Sequence, residues 1–317
     1  MSKESSNSRD SKSREKPKSS INQNLDKQKR LSNRIKSSDN NKSVELPASD
    51  RDLLNQKGYT IGKQLNSGTF SKVCKANKDK KPMAVKIIDL TNTSTDYKNK
   101  FLPRELYVTK KLSHPFIIQV YDIYYIAKRV YVFMELAEGG DILDLVKKGG
   151  IIETKAKSLY KGLAEAMKYI HTLGIAHRDI KTENCLLIDK MKSVAKICDF
   201  GFSRACFDHN TGERQLSETY CGSVAYAAPE ILKVRPYNPM ISDVWSMGVV
   251  LFVMTNRRMP FNDENPKLML SSQLEKKYLL SDSLSDDCKE LIRRHLDPNT
   301  ATRITMKDVV NHNWFKQ

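Results

Sequence analysis

The apolar residues of this chain change period once, near Gly140, and that change constrains the fold more than any other feature. Between Tyr59 and Gly140, Ile61, Val73, Ala84-Val85 and Ile87-Ile88 sit in short alternating or β-branched runs separated by turn residues, as in an antiparallel meander. A helical stretch ending near Leu112 interrupts them, and Ile117 to Glu135 supplies two further runs bridged by the polar turn Ala127-Lys128-Arg129. Beyond Gly140 the spacing turns helical: Leu159, Leu163, Ala164, Met167 and Ile170, then Val249, Val250 and Val253. The patterning predicts an α+β, bilobal chain. A small antiparallel β-rich lobe with one helix spans about 56–137, and a larger, mainly α-helical lobe spans about 138–317. With 317 residues and 39% hydrophobic content, a core of that size can be buried.

Residues 1–55 read differently. The first fifty or so are rich in Ser, Asn, Lys and Arg and nearly empty of aromatics, so they bury too little apolar surface to offset chain entropy, and a disordered basic tail is predicted. The run Lys27 to Lys36 has the charge of a nuclear-import or acidic-surface signal, although solvated charge is the commoner meaning. Overall, 54 Lys+Arg against 37 Asp+Glu leave +17, a balance that attracts nucleic acid, acidic membranes or acidic proteins. Aromatics are only 8% and do not interleave with a basic stripe, which argues against nucleic acid as a partner.

The six cysteines form no Cys-x-x-Cys pair and no apolar leader opens the chain, as expected in a reducing, intracellular compartment. The longest apolar stretch, Met247 to Met254, is far short of a membrane span and reads as a buried helix. No His/Cys cluster has zinc-ligand spacing, so no metal site of protein ligands alone is expected.

Chemistry concentrates in a few ordered segments. Leu65-Asn66-Ser67-Gly68-Thr69-Phe70-Ser71-Lys72-Val73 lies between two strands, where glycine lets backbone amides approach phosphate oxygens. It meets G-x-G-x-x-G-x-V only in part, because Asn66 and Ser71 stand at the first and third glycine positions and Gly68 alone remains. In isolation it reads better as a plain hairpin turn. Farther on, Ala84-Val85-Lys86 precedes Glu105 on the intervening helix, a spacing that can bring an ammonium and a carboxylate together. Taken singly, these two are ordinary surface charges.

Three segments farther along the chain change their meaning. His177-Arg178-Asp179-Ile180-Lys181-Thr182-Glu183-Asn184 reproduces H-R-D-x-x-x-x-N, Asp199-Phe200-Gly201 comes after a hairpin-sized gap, and Ala228-Pro229-Glu230 lies beyond. From about Tyr59 to Phe315 the chain resembles the eukaryotic protein kinases. The resemblance implies an ATP-dependent phosphotransferase with Mg2+. Asp179 would hold the attacking hydroxyl, Lys181 would stabilise the transferring phosphoryl group, and Lys86, oriented by Glu105, would meet the α- and β-phosphates. Asp199 and Asn184 are the hard oxygen ligands expected for magnesium. The nucleotide would lie under Leu65 and Gly68, its adenine between Val73 and Ala84 above and Leu186 below. Met134 would be the gatekeeper and the Glu135 to Ala137 backbone the connector. Ordinary core packing describes the same apolar atoms. Glu230 and Arg303 resemble the family's buried ion pair, and Asp243 the residue that braces the catalytic loop.

Lys181, two residues after Asp179, is the serine/threonine arrangement. Tyrosine kinases of the family place Arg where Glu183 stands. Asp141 and Glu183 match acidic positions that receive a basic residue three before the acceptor in basophilic relatives, which implies Arg/Lys-x-x-Ser substrates. Phe202 is bulky, and a large residue there goes with serine over threonine. Thr219 matches the activation-loop phosphosite, where an upstream kinase would add a phosphate able to pair with Arg178, although a constitutively ordered loop is the alternative. Ser223 is expected to contact Asp179 and Lys181. Arg34-Ile35-Lys36-Ser37 in the tail fits the same substrate pattern.

Phe101 to Glu105, Cys198 to Ser203 and Thr219 to Glu230 look like the testis-specific serine kinases of the calcium/calmodulin-dependent group. That likeness implies a role in male germ cells and sperm formation, with cytoplasmic or flagellar residence, and the basic run of the tail adds nuclear residence as a variant. Two other readings compete. One is a pseudokinase scaffold, suggested by the two lost loop glycines; the other, weaker still, is nucleic-acid binding through the tail.

Overall fold

Two left-handed residues fold the second hairpin. Asp79 (φ 50°) and Lys80 (φ 66°) close β2 (Ser71–Lys78) onto β3 (Lys81–Asp89), a two-residue connection whose twist matches that of its strands. The computed structural model to which they belong describes residues 45–68, 71–95, 97–149, 151–207, 213, 215–219 and 221–316. The tail's basic run, Ser37 and Tyr220 lie outside the described residues.

β2 and β3 join β1 (Tyr59–Ser67), β4 (Val120–Ile126) and β5 (Arg129–Met134) in an antiparallel sheet of order β1-β2-β3-β5-β4. A further left-handed residue, Ala127 (φ 49°), turns β4 into β5, the position at which the sequence shows its polar turn. Alternation sorts the side chains. Val85 and Ile87 point to one core cluster with Tyr59, Tyr131 and Phe133, while Ile88 and Val132 point to another beneath α2 (Leu102–Lys111). Strand register therefore places Lys86 and Ala84 on the face opposite Val85, toward the second lobe.

The boundary expected at residue 55 is corrected by a helix. α1 (Ala48–Gln56) buries Asp50 and Leu54, one helical turn apart, against the first cluster. Asp50 is 1% exposed, accepts a hydrogen bond from the Tyr131 hydroxyl at 2.6 Å, and lies 3.4 Å from Arg129 Nη1. Composition hid this helix because only one large apolar side chain, Leu54, carries its packing, and a buried Asp reads as solvated charge until its partners are known. Replacing Asp50 by Ala leaves the Tyr131 hydroxyl unsatisfied. The expected loss is about 1–3 kcal/mol, read as a lower urea midpoint, and an unchanged midpoint would count against a structural role for α1.

Past Met134 the chain crosses into the second lobe through β6 (Gly140–Asp141) and α3 (Ile142–Lys147). Two long helices build its core. α4 (Glu153–Thr172) buries Ala156, Leu159, Tyr160, Leu163, Ala164, Met167 and Ile170 on one face. α5 (Pro229–Leu232) leads to α6 (Pro239–Asn256), which is capped by Asn238, begins with Pro239, and is buried almost all round. The run Met247 to Met254 lies inside α6, and among the described residues no helix is long and apolar enough to cross a membrane. α7 (Pro266–Leu274), α8 (Asp286–His295) and α9 (Met306–Val309) complete the lobe.

Candidate active site

The catalytic loop comes directly after β7 (Ile175–Ala176) and is hung from Asp243 of α6. Asp243 Oδ2 accepts the His177 amide at 2.8 Å and Oδ1 accepts the Arg178 amide at 2.8 Å, while His171 Nε2 lies 3.1 Å from Oδ2. Those two charge-assisted bonds hold Arg178 in the left-handed region, at φ 67°. His177 is fully buried, its ring against Phe200 and its Nε2 3.1 Å from the Cys198 carbonyl, which ties this loop to the Asp199-Phe200-Gly201 turn. Asp199 is also left-handed, at φ 64°.

The loop converges on Asp179. Its Oδ2 accepts Lys181 Nζ at 2.7 Å and Asn184 Nδ2 at 3.1 Å, and its Oδ1 accepts both the amide and the hydroxyl of Ser223 at 3.1 Å. Lys181 also donates to Ser223 Oγ at 3.1 Å. Burial alone would lower the Lys181 ammonium, but the Asp179 carboxylate outweighs it and holds the group above its ordinary range, so it stays charged. Gly222 allows this closeness: at φ 88°, a Cβ there would sit 2.4 Å from the Arg178 carbonyl oxygen.

Across the cleft, Lys86 on β3 bonds Glu105 Oε1 of α2 at 3.0 Å and Asp199 Oδ1 at 2.9 Å. Burial would lower Lys86, yet the carboxylates of Asp199 and Glu105 outweigh it and hold the ammonium well above its ordinary value. Lys86 in turn pulls Asp199 down to about 2, so this carboxylate is ionised at any working pH. Asn184 donates through Nδ2 to the Asp179 carbonyl at 2.8 Å as well as to its carboxylate. Both partners are acceptors, which leaves the Asn184 amide oxygen free of that network. An ionised carboxylate beside an oriented amide oxygen suits a hard divalent cation such as magnesium.

The residues that the sequence assigns to the nucleotide lie on paired strands of the two lobes. Ala84 pairs with Met134 and Val73 with Lys86 in the sheet, and Leu186 lies on β8 (Cys185–Leu187), which pairs with β9 (Ala195–Ile197) below. Leu65 and Gly68 sit at the β1–β2 turn, where the Gly68 amide donates to the Ser71 carbonyl at 2.7 Å, so Ser71 completes a hairpin at a glycine position. In the connector, the Glu135 amide donates to the Gln119 carbonyl at 2.9 Å, while no hydrogen bond engages the Ala137 amide among the described residues. The Glu135 carboxylate turns away to Lys196 Nζ, at 2.6 and 2.8 Å. That pair belongs to no motif in the sequence. Its only signal is a lone Lys three residues before Asp199.

Asp141 caps α3 by accepting the Asp144 amide at 2.7 Å. Asp141 pairs with Leu186 of β8, three residues past Glu183 in the turn Thr182–Asn184, so the two carboxylates form one acidic patch beside the catalytic loop, and burial first, then the charges of Asp144 and Glu183, push the Asp141 carboxyl up to about 6. Thr219 is exposed, and its carbonyl accepts the Tyr237 hydroxyl at 3.0 Å. Arg178 reaches elsewhere, to the Phe202 carbonyl at 2.6 Å and to Ser217 Oγ at 3.2 Å. Ser217 is fully buried, bridged by backbone to Tyr237, so a serine hydroxyl holds the arginine that the sequence assigns to a phosphate on Thr219. Cys198, beside the cleft, is held protonated by burial and by the Asp199 charge.

An ion-paired strand lysine, a carboxylate braced by a lysine and a serine, and two oxygen donors at the mouth of a two-lobed cleft define a phosphotransferase. The protein kinase domain family matches residues 59–315. Testis-specific serine/threonine-protein kinase 2 of mouse is 40% identical over 84% of this chain and 76% of its own length. Mouse testis-specific serine/threonine-protein kinase 3 is 41% identical over 83% of this chain and 98% of its own. CBL-interacting serine/threonine-protein kinase 13 of Arabidopsis thaliana is 31% identical over 90% of this chain and 57% of its own. The chain belongs to the testis-specific serine/threonine kinases, within the protein kinases, and is a protein serine/threonine kinase. Protein kinases as a family use ATP and Mg2+ and act on proteins.

Proposed function

We propose that this kinase transfers the γ-phosphate of ATP to serine, less often threonine, three residues after an arginine or lysine. The observation that carries the reading is the acidic patch of Asp141, paired to Leu186 of β8, and Glu183, in the turn Thr182–Asn184 just before that strand, a match for a basic side chain on the substrate. Phe202, 41% exposed directly after Gly201, supports the preference for serine. Asn184 and Asp199 would hold magnesium, which supplies charge neutralisation on the triphosphate. Lys86 would bind the α- and β-phosphates. Lys181 would meet the transferred group, while Asp179 would accept the hydrogen bond of the substrate hydroxyl and keep it in line. The testis-specific names of the relatives support a role in male germ cells; the cytoplasmic residence proposed with it is read, like that role, by immunostaining of testis sections.

A serine peptide with Arg three residues before the acceptor, compared with its Ala counterpart, tests the substrate reading. The Arg peptide should have the higher kcat/KM, by about tenfold for one charge-assisted contact. Because burial pushes the Asp141 carboxyl up to about 6, its charge is present above that pH and is lost as pH falls through it. The advantage should therefore shrink between about pH 7 and pH 5.5, while the Ala peptide changes less. Equal kcat/KM for both peptides at about pH 7.5 would sink the proposal.

A further inference from the structure

Beside Asp179, two hydroxyls and a carboxylate form a hydrogen-bonded chain that ends on the surface. The Tyr226 hydroxyl and Thr182 Oγ1 are 2.7 Å apart, Thr182 Oγ1 lies 2.9 Å from Glu183 Oε2, and Tyr226 Oη lies 3.3 Å from the same oxygen. Thr182 is fully buried and Tyr226 is 7% exposed, whereas Glu183 is exposed. We infer that Thr182 and Tyr226 are positioning residues that hold the Glu183 carboxylate for a basic substrate side chain, and so set the enzyme's selectivity without touching the substrate. This role rests on the proposed function of Glu183 in receiving that basic residue.

The hydroxyl protons fix where the chain ends. Two hydroxyls bring two protons, and a buried hydroxyl proton needs an acceptor. If they bonded only to each other, one proton would be stranded. The other neighbour of Tyr226 Oη, the Thr182 amide at 3.5 Å, is itself a donor. Among the described hydrogen bonds, the acceptor that ends the chain is Glu183 Oε2 in either order, Tyr226 to Thr182 to Glu183 or Thr182 to Tyr226 to Glu183. Both buried groups are thereby committed to one oxygen of an exposed carboxylate. Oε1 receives no hydrogen bond among the described residues and is left to an incoming guanidinium or ammonium.

The anchor at the far end is firm. Tyr226 closes the 3-10 turn Val224–Tyr226, and its carbonyl accepts Ser246 Oγ of α6 at 2.9 Å. The same segment presents Ser223 to Asp179. Glu183 is thus referenced to the residues that hold the acceptor rather than to solvent. A free glutamate would lose rotamer freedom when a substrate binds, and the hydroxyl chain makes that loss before binding.

The test separates positioning from folding. Kinetics on the Arg and Ala peptides are measured for the unaltered kinase and for Thr182→Val, Thr182→Ser and Tyr226→Phe. Thr182→Val should raise KM for the Arg peptide about fivefold with kcat within about twofold, and should leave KM for the Ala peptide where it was. Tyr226→Phe should do the same to a lesser degree, and Thr182→Ser, which keeps the hydroxyl, should restore selectivity. An unchanged ratio of the two KM values in both Thr182→Val and Tyr226→Phe overturns the inference alone. Equal kcat/KM for the two peptides in the unaltered enzyme overturns the role of Glu183, and that of its two supports with it.

Discussion

Phosphate transfer should fall about a thousandfold in Asp179→Asn, with nucleotide affinity nearly unchanged, because positioned proton acceptors contribute roughly 10²–10⁴ to rate. The substitution keeps the shape of the side chain and removes its charge. Asp179 receives four hydrogen-bond donors: the amide and hydroxyl of Ser223, the Lys181 ammonium and the Asn184 amide group. An asparagine there must turn its own NH2 toward one of those donors, so a contact is lost as well as the acceptor for the substrate hydroxyl. Lys86, Glu105 and Asp199, the proposed nucleotide contacts, bond one another rather than Asp179 and keep their geometry. Single-turnover transfer to the Arg peptide, with calorimetry of a non-hydrolysable ATP analogue, reads both halves. A rate within about tenfold of the unaltered enzyme would refute the role of Asp179.

The second large effect concerns stability. Glu230 receives Arg303 in bidentate form at 2.7 and 2.9 Å, and the Arg303 side chain is fully buried. The guanidinium also donates to the Asp297 and Ile241 carbonyls and stacks 5.1 Å from the Trp245 ring, while Ser242 Oγ donates to Glu230 at 2.8 Å. Glu230→Ala strands that cation in the core, and removal of one partner of a buried pair costs about 3–5 kcal/mol. Urea unfolding followed by tryptophan fluorescence should show it, since Trp245 packs on Arg303. A loss under about 1 kcal/mol would mean that water replaces the carboxylate. Because Glu230 lies just beyond the segment that carries Ser223 and Tyr226, activity should fall in the same variant even below its melting temperature.

How much of this was legible depended on what each residue's neighbours in sequence already say. The two-lobed architecture was, because strand alternation through Val85 and Ile87 and helical spacing through Leu159 to Ile170 are local consequences of side-chain direction. The catalytic-loop residues were legible because several groups must be delivered from one short segment, which fixes their spacing. α1 was not. Its single buried leucine and its buried Asp50 make sense only beside Tyr131 and Arg129, which lie far along the chain. Nor could the sequence show that Ser217 occupies Arg178, or that Glu135 is paired to Lys196. These partners come from different elements and carry no periodic mark.

The chain by itself determined which chemical groups are present and in what order, and the alternation that sends Lys86 to the opposite face of its strand from Val85. Register acts between immediate neighbours, so tertiary structure had little freedom to alter it. Tertiary structure alone decided which charges meet. Lys86 reaches both Glu105 and Asp199, Asp243 of α6 suspends the catalytic loop, and Tyr226 reaches back to Thr182 and Glu183. Electrostatic and hydrogen-bond energies turn on ångström-scale separations between residues far apart in the chain, and only the packing of the two lobes sets those separations.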